Sequence, residues 1–107
     1  MAAVTTQSGN IIEVSYQTSG SDWDYTDTGL DRLKVKAIFW HPTAAGDILH
    51  IREGSNSGPA IVYTQASAAS DTKAFYFDDG VWMKPYIQLS DQTFGTVTAT
   101  TIIFVLA

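Results

Sequence analysis

The sequence predicts an all-β domain, a two-sheet β-sandwich of jelly-roll-like topology with about seven to eight short antiparallel strands. Three observations lead to this prediction. Helical periodicity is nearly absent, and apolar residues alternate with polar ones or form short blocks. Gly, Asp, Asn and Ser separate the blocks, as expected of turns. Short strands at this spacing are typical of a sandwich or jelly roll, with a small closed barrel as the alternative.

Strict alternation of apolar and polar residues identifies most of the strands. In chain order, the predicted strands occupy residues 12–16, 32–39, 47–53, 60–66, 72–77, 81–90 and 96–106. His41-Pro42 ends the second strand, because proline lacks a backbone donor. Asp78-Asp79-Gly80 predicts a tight turn, and Pro85 predicts a sheet edge, a bulge or a strand break. From Ile102 onward both faces are apolar, which indicates a strand buried between two layers.

The same alternation predicts which side chains form the core, although a slip of one residue would invert any strand. The predicted core comprises Ile12, Val14, Leu33, Val35, Phe39, Leu49, Ile51, Phe75, Phe77, Ile87, Ile103 and Val105.

The 107 residues match the usual size of one domain. Residues 1–10 contain little apolar surface, so we expect them to form a flexible N-terminal arm, mobile in free protein and ordered against a neighbour. The single β-sandwich domain then spans residues 11–107. The first ten residues have neither a basic start nor an apolar run, so we expect no secretory signal there.

The net charge of −5 disfavours nucleic acid or an anionic membrane as a partner. Arg32, Lys34 and Lys36 alternate along one predicted strand, which indicates a solvated face and not a ligand site. The chain has no cysteine, which excludes disulfides and thiolate zinc sites. We expect the protein to require no cofactor and no metal.

The candidate ligand-contact loop comprises Asp22, Trp23, Asp24 and Tyr25, within an acidic segment that extends to Asp31. Compared with an EF-hand, this segment lacks the required glycine at position six and glutamate at position twelve, so that template fails. A looser calcium site and a solvated acidic loop are the alternatives. Aromatic side chains beside acids also suit a sugar, and Trp82 and Tyr86 would extend such a site, whereas core packing is the structural alternative.

No residue pattern predicts catalysis. His41 and His50 are the histidines of the chain, and no Gly-x-Ser-x-Gly motif accompanies them. His50 alternates with Ile48 and Arg52, as a residue on a strand face does. Carboxylates for glycoside hydrolysis are present, but the sequence defines no separation between them. We therefore expect a protein that is not an enzyme.

Segments in the middle of the chain resemble small virion proteins of tailed bacteriophages. The resemblance covers Lys34–Trp40, then Ala45–Gly54 with its Gly-Asp-aliphatic start, then Pro59–Tyr63 and the alanine-rich bend Ala66–Ala69. A closing β-branched segment at 96–106 completes it, for about two thirds of the chain. These motifs consist of strand and turn composition and have low specificity.

The resemblance implies a structural role as a capsid decoration or cement protein of jelly-roll type. The implied partners are the major capsid protein or other virion proteins, and the implied location is the virion, after synthesis in the host cytoplasm. Unprotected sheet edges and a symmetric shell further predict a homo-oligomer, with a trimer as the expected form. The alternative is a carbohydrate-binding or host-attachment module associated with a tail or fibre.

Overall fold

A computed structural model of the protein describes residues 4–16, 22–93 and 100–107. These residues form two antiparallel sheets and two short 3₁₀ helices, at Tyr25–Thr28 and Leu89–Asp91. The strands are β1 (Val4–Ser8), β2 (Ile11–Tyr16), β3 (Trp23–Asp24), β4 (Leu33–His41), β5 (Ile48–Glu53), β6 (Ala60–Gln65), β7 (Lys73–Met83), β8 (Pro85–Ile87) and β9 (Thr100–Leu106). The predicted all-β class is confirmed.

The strand pairing has the jelly-roll pattern. Sheet A has the order β1-β2-β9-β4-β7, and sheet B has the order β3-β8-β5-β6. Strands β2 and β9, β3 and β8, β4 and β7, and β5 and β6 are paired antiparallel. From β2 to β9 the chain thus pairs with itself like one long hairpin. Its successive strand pairs lie in sheet A, sheet B, sheet A and sheet B, which is the arrangement of a double-sheet jelly roll.

The core lies between the two sheets and is formed by alternate residues of the central strands. Seven residues of the predicted core are at most 1% exposed: Ile12, Val14, Leu33, Val35, Leu49, Ile51 and Ile87. Phe75 and Phe77 are partly buried and pack against this cluster. Trp23 and Trp40 are also buried within it.

Three predicted core positions are wrong because the side chains that face the core are displaced by one residue from the predicted ones. In β9 the buried side chains are Ile102 and Phe104, so Ile103 and Val105 lie on the opposite face. In β4 the alternation changes phase at a bulge between Val35 and Ala37, where the register with β9 shifts. A bulge adds one unpaired residue and inverts the side chains beyond it. Ile38 and Trp40 are therefore buried in place of Phe39.

The predicted turn at Asp78-Asp79-Gly80 is also wrong, because β7 continues through these residues. Val81 pairs with Val35 and Tyr76 pairs with Ala37, so β7 carries extra residues opposite Lys36. The same composition that favours hairpin turns also suits a bulge, since Asp78 and Gly80 have positive φ. Pro85 begins β8, where the chain passes from sheet A to sheet B, so the predicted strand break is present.

The segment predicted as an N-terminal arm contributes a strand to the sheet. Val4–Ser8 pair with β2 from Val4 opposite Ser15 to Ser8 opposite Ile11. Backbone hydrogen bonds require no apolar side chains, which explains how a polar segment extends an existing sheet. The Trp23 indole nitrogen also donates to the Thr5 hydroxyl at 2.9 Å. The mobility expected for residues 1–10 stays a prediction.

Candidate functional site

The candidate ligand-contact loop begins with a tryptophan that faces the interior. Trp23 lies in β3 and is 1% exposed. Its ring stacks on Phe104, with 5.4 Å between centroids and 14° between planes. Both its ring face and its indole N–H are therefore engaged inside the domain, and Trp23 presents no surface to a sugar in this conformation.

The remaining three residues of the loop stabilise its local structure. Asp24 caps the 3₁₀ helix by accepting from the Thr26 amide at 2.7 Å, and the Asp27 side chain accepts from the Asp24 amide at 3.2 Å. Asp24 also accepts from the Thr26 hydroxyl. Tyr25 is partly buried against the core. This arrangement is a capping box, in which Asp24 and Asp27 satisfy backbone donors of the helix.

Asp22 holds the loop against the neighbouring strand. Its carboxylate accepts a hydrogen bond from the Tyr86 hydroxyl at 2.8 Å, close to where β3 pairs with β8. This hydrogen bond, partial burial and the charges of Asp22 and Asp24 raise the pKa of Tyr86 above its ordinary value. The structure thus brings Asp22 and Tyr86 together, as the sugar-site hypothesis required, but leaves Trp82 in a separate strand of sheet A.

The outward face of sheet B carries a polar cluster around His50. Arg52 Nε donates to Asp91 Oδ2 at 2.8 Å, and His50 Nδ1 lies 3.7 Å from the same oxygen. The Gln92 side chain accepts from the His50 amide at 2.7 Å and donates to its carbonyl oxygen at 2.6 Å. His50 also contacts the Tyr63 ring edge-to-face at 4.8 Å. Each of these polar groups has a structural partner, as predicted for a strand-face histidine.

Within the described ranges, no three His, Asp or Glu residues come close enough to form a metal site. The same part of the chain contains no helix long and apolar enough to cross a membrane.

The outward face of sheet A carries a group of apolar side chains beside polar ones such as Ser8 and Glu13. One row across the sheet joins Ile11, Val105, Ala37 and Tyr76 through their pairing, and Phe39 pairs with Ile103 in the next row. These six residues are called the outer apolar face below; Ala37 is buried among its neighbours, and Ile11, Phe39, Ile103 and Val105 are half-buried. Tyr76 is 72% exposed and contacts Phe39 edge-to-face at 6.0 Å.

Comparisons with protein-family models, curated proteins and solved structures find no match.

Sequence analysis missed both the outer apolar face and the environment of Trp82. The apolar character of both faces of β9 was the signal for the first, but it was interpreted as burial between two layers of the same chain. For Trp82 the sequence predicts either core packing or part of a sugar site; the structure places it 54% exposed on sheet A, with the Arg32 guanidinium 4.2 Å from its ring centroid. The spacing of Arg32, Lys34 and Trp82 gives no indication of this contact, because Trp82 lies on β7 whereas Arg32 immediately precedes β4.

Proposed function

We propose that this protein is a non-enzymatic virion structural protein, most specifically a decoration or cement protein that binds and stabilises a viral shell. The outer apolar face is the observation that carries the proposal. Apolar side chains clustered on the surface of a single domain mark a contact site, because their burial against another surface releases water. The resemblance of the middle of the chain to tailed-phage virion proteins indicates what that other surface is.

The two sheets differ in a way that supports one-sided attachment. The outward side of sheet B carries the hydrogen-bonded cluster around His50 next to the exposed Tyr63 ring, whereas the outward side of sheet A presents Ile103, Phe39 and Tyr76. A shell protein that binds through sheet A leaves the polar side of sheet B in contact with solvent. Many such contacts, each of modest strength, hold a decoration protein in place through the number of copies.

We also propose a symmetric oligomer, with a trimer as the specific form. The 11-residue β7 lies at the end of sheet A, and no described strand pairs with its outer side. Long exposed edges are usually covered, and closed rotational symmetry is the common way in which identical subunits cover them. Light scattering on purified protein tests this part; a monomer at all concentrations would contradict it.

A matched pair of tyrosines tests the attachment surface. Tyr76→Ser removes an exposed ring from the outer apolar face, whereas Tyr63→Ser removes a similarly exposed ring from sheet B. Both tyrosines make one edge-to-face contact with a neighbouring ring, so their losses inside the domain are comparable. We expect Tyr76→Ser to lower occupancy on purified particles about tenfold, as for loss of about 1.4 kcal/mol at an interface. Tyr63→Ser should leave occupancy unchanged.

The particles are those produced from the genome that encodes this chain, and occupancy is measured by mass spectrometry and electron microscopy. Absence of the protein from these particles would refute the proposal. Binding of the isolated protein to a glycan array, without attachment to the shell, would instead favour the carbohydrate-binding or host-attachment function. The expected location is the virion, after synthesis in the host cytoplasm.

A further inference from the structure

Trp82 lies between two open concavities at one end of sheet A. Its side chain is 54% exposed, whereas Trp23 and Trp40 are 1% and 0% exposed. The concavities have volumes of about 170 and 270 Å³ and share Trp82 and Arg32 in their walls. Together they form one cleft around the tryptophan ring, called the Trp82 cleft below. An aromatic side chain left this exposed beside concave surface is a common feature of contact sites.

The walls of the Trp82 cleft combine apolar surface with positive charge. The larger concavity has apolar walls from Leu30, Leu33, Leu106 and Ala107, with Lys34 at its side, and the smaller one contains Met83, Lys84 and Glu53. The described residues of the cleft therefore include three cationic side chains and one acidic side chain, on a chain whose net charge is −5.

Glu53, the acidic side chain of the cleft, is engaged by a backbone amide. Glu53 accepts from the Lys84 amide with both carboxylate oxygens, at 2.7 and 3.0 Å. This contact fixes the corner between β7 and β8. Within the part of the chain that the structure describes, the head groups of Lys34 and Lys84 form no ion pair: Lys34 Nζ lies 5.9 Å from the Trp82 ring, and Lys84 Nζ lies 5.9 Å from the Tyr25 ring. The charge of the cleft thus favours an anionic occupant.

The arrangement of these groups favours one class of anion over others. The cations are distributed over both concavities: Lys34 lines the larger one, Lys84 lines the smaller one and Arg32 lines both. A matching ligand therefore carries an apolar group between separated negative charges. Among the described residues, no Asn, Gln, Ser or Thr lines the Trp82 cleft, and the Glu53 carboxylate is engaged by the Lys84 amide, so few groups remain to bind the hydroxyls of a sugar. Single-stranded nucleic acid requires a basic groove that continues along its backbone, whereas Asp78 and Asp79 precede Trp82 on β7 and limit the positively charged surface to a length that suits a short anionic segment.

We propose that the Trp82 cleft binds an acidic peptide segment in which an apolar side chain is flanked by carboxylates. The apolar side chain contacts Trp82 and the leucines of the larger concavity, and the carboxylates pair with Arg32, Lys34 and Lys84. This proposal concerns the isolated protein and does not depend on the decoration role, so either can fail without the other.

The direct test measures binding of a fluorescently labelled peptide, Glu-Glu-Phe-Glu-Glu with blocked termini, by anisotropy. A peptide with every Glu replaced by Gln has the same shape and no charge. We expect the acidic peptide to bind at least tenfold more tightly than the Gln peptide, with an affinity that falls as salt is added. Equal binding of the two peptides, or no binding of the acidic one, would overturn the proposal.

Variants then locate the site. Trp82→Ala and Arg32→Gln should each weaken binding at least tenfold, and Arg32→Gln keeps the tryptophan ring in place if Trp82→Ala unfolds the chain. The matched control is Lys73→Gln, which removes one positive charge outside the cleft. Lys73 is far from the cleft. Trp82 pairs with Lys34 of β4, whereas Lys73 pairs with Trp40. These two positions of β4 are six residues apart, which is about 20 Å at about 3.3 Å per residue.

Three further results would contradict binding of an acidic peptide in the Trp82 cleft. Unchanged binding by Trp82→Ala and Arg32→Gln would exclude the cleft. Tighter binding of an acidic oligosaccharide or of an oligonucleotide than of the acidic peptide would reject the peptide class. Loss of binding in Lys73→Gln equal to that in Arg32→Gln would show that overall charge, and not the cleft, attracts the peptide.

Discussion

Thr100 joins two strands through a hydroxyl group inside the core, and Thr100→Val tests what that hydroxyl contributes. The Trp40 indole nitrogen donates to Thr100 Oγ1 at 2.8 Å, and this hydroxyl donates to the His41 carbonyl oxygen at 2.7 Å. Trp40 and Thr100 are both 0% exposed. Valine has nearly the same shape as threonine, so the substitution removes both hydrogen bonds with little change in packing.

The expected loss of stability follows from the group that is left without a partner. Solvent does not reach the Trp40 N–H in the folded state, so valine leaves a buried donor unsatisfied at a cost of about 1–3 kcal/mol. The His41 carbonyl lies on an exposed residue, and water replaces its lost donor at smaller cost. We therefore expect a decrease of about 2 kcal/mol in the free energy of unfolding, which corresponds to about 10 °C in Tm for a domain of this size.

Urea denaturation followed by tryptophan fluorescence measures this change, and calorimetry checks the shift in Tm. The neighbouring Thr101→Val is the control, because Thr101 lies on the outward face and should change stability by less than about 0.5 kcal/mol. In a double-mutant cycle, Trp40→Phe should remove most of the penalty of Thr100→Val, since no donor is then left unpaired. If Thr100→Val lowers the free energy of unfolding by less than about 0.5 kcal/mol, the hydrogen bond from Trp40 to Thr100 does not stabilise the core as argued.

Two further predictions concern the β5–β6 turn and the loop before β3. In Gly58→Ala, the added Cβ would lie 1.8 Å from the Glu53 carbonyl oxygen, so the free energy of unfolding should fall by about 3 kcal/mol or more in denaturation experiments. In Gly54→Ala, in the same turn, the Cβ meets no atom within 4 Å, and the free energy of unfolding should fall by only about 1–2 kcal/mol because of the positive φ. Equal losses for the two variants would contradict the steric argument. Because hydrogen bonding to Asp22 raises the pKa of Tyr86 in the folded state, the stabilisation from Tyr86 is complete below its unfolded pKa of about 10 and is lost as pH rises through the higher folded value. Tyr86→Phe should reduce the alkaline decrease in Tm, and an unchanged decrease would contradict this linkage.

The candidate loop illustrates where reasoning from sequence succeeded and where it failed. The acidic residues were expected to favour turns, and Asp24 does cap a 3₁₀ helix. Trp23 faces the interior because its ring stacks on Phe104, which lies eighty-one positions further along the chain. The sequence predicts Ile103 and Val105, and not Phe104, on the core side of this strand. Local sequence does not record which distant ring a tryptophan will contact, so a ligand role and a core role for Trp23 looked alike.

Period-two alternation, turn residues and the absence of cysteine by themselves determined an all-β domain stabilised by its core, because strand geometry places alternate residues on opposite faces wherever the backbone is regular. The tertiary structure alone decided where that regularity ends. The bulge in β4 and the extra residues in β7 invert or displace side chains, because strand register depends on both partners of a pair. For the same reason, only the assembled sheets revealed that one face of β9 is left uncovered and that Trp82 meets Arg32 at the surface.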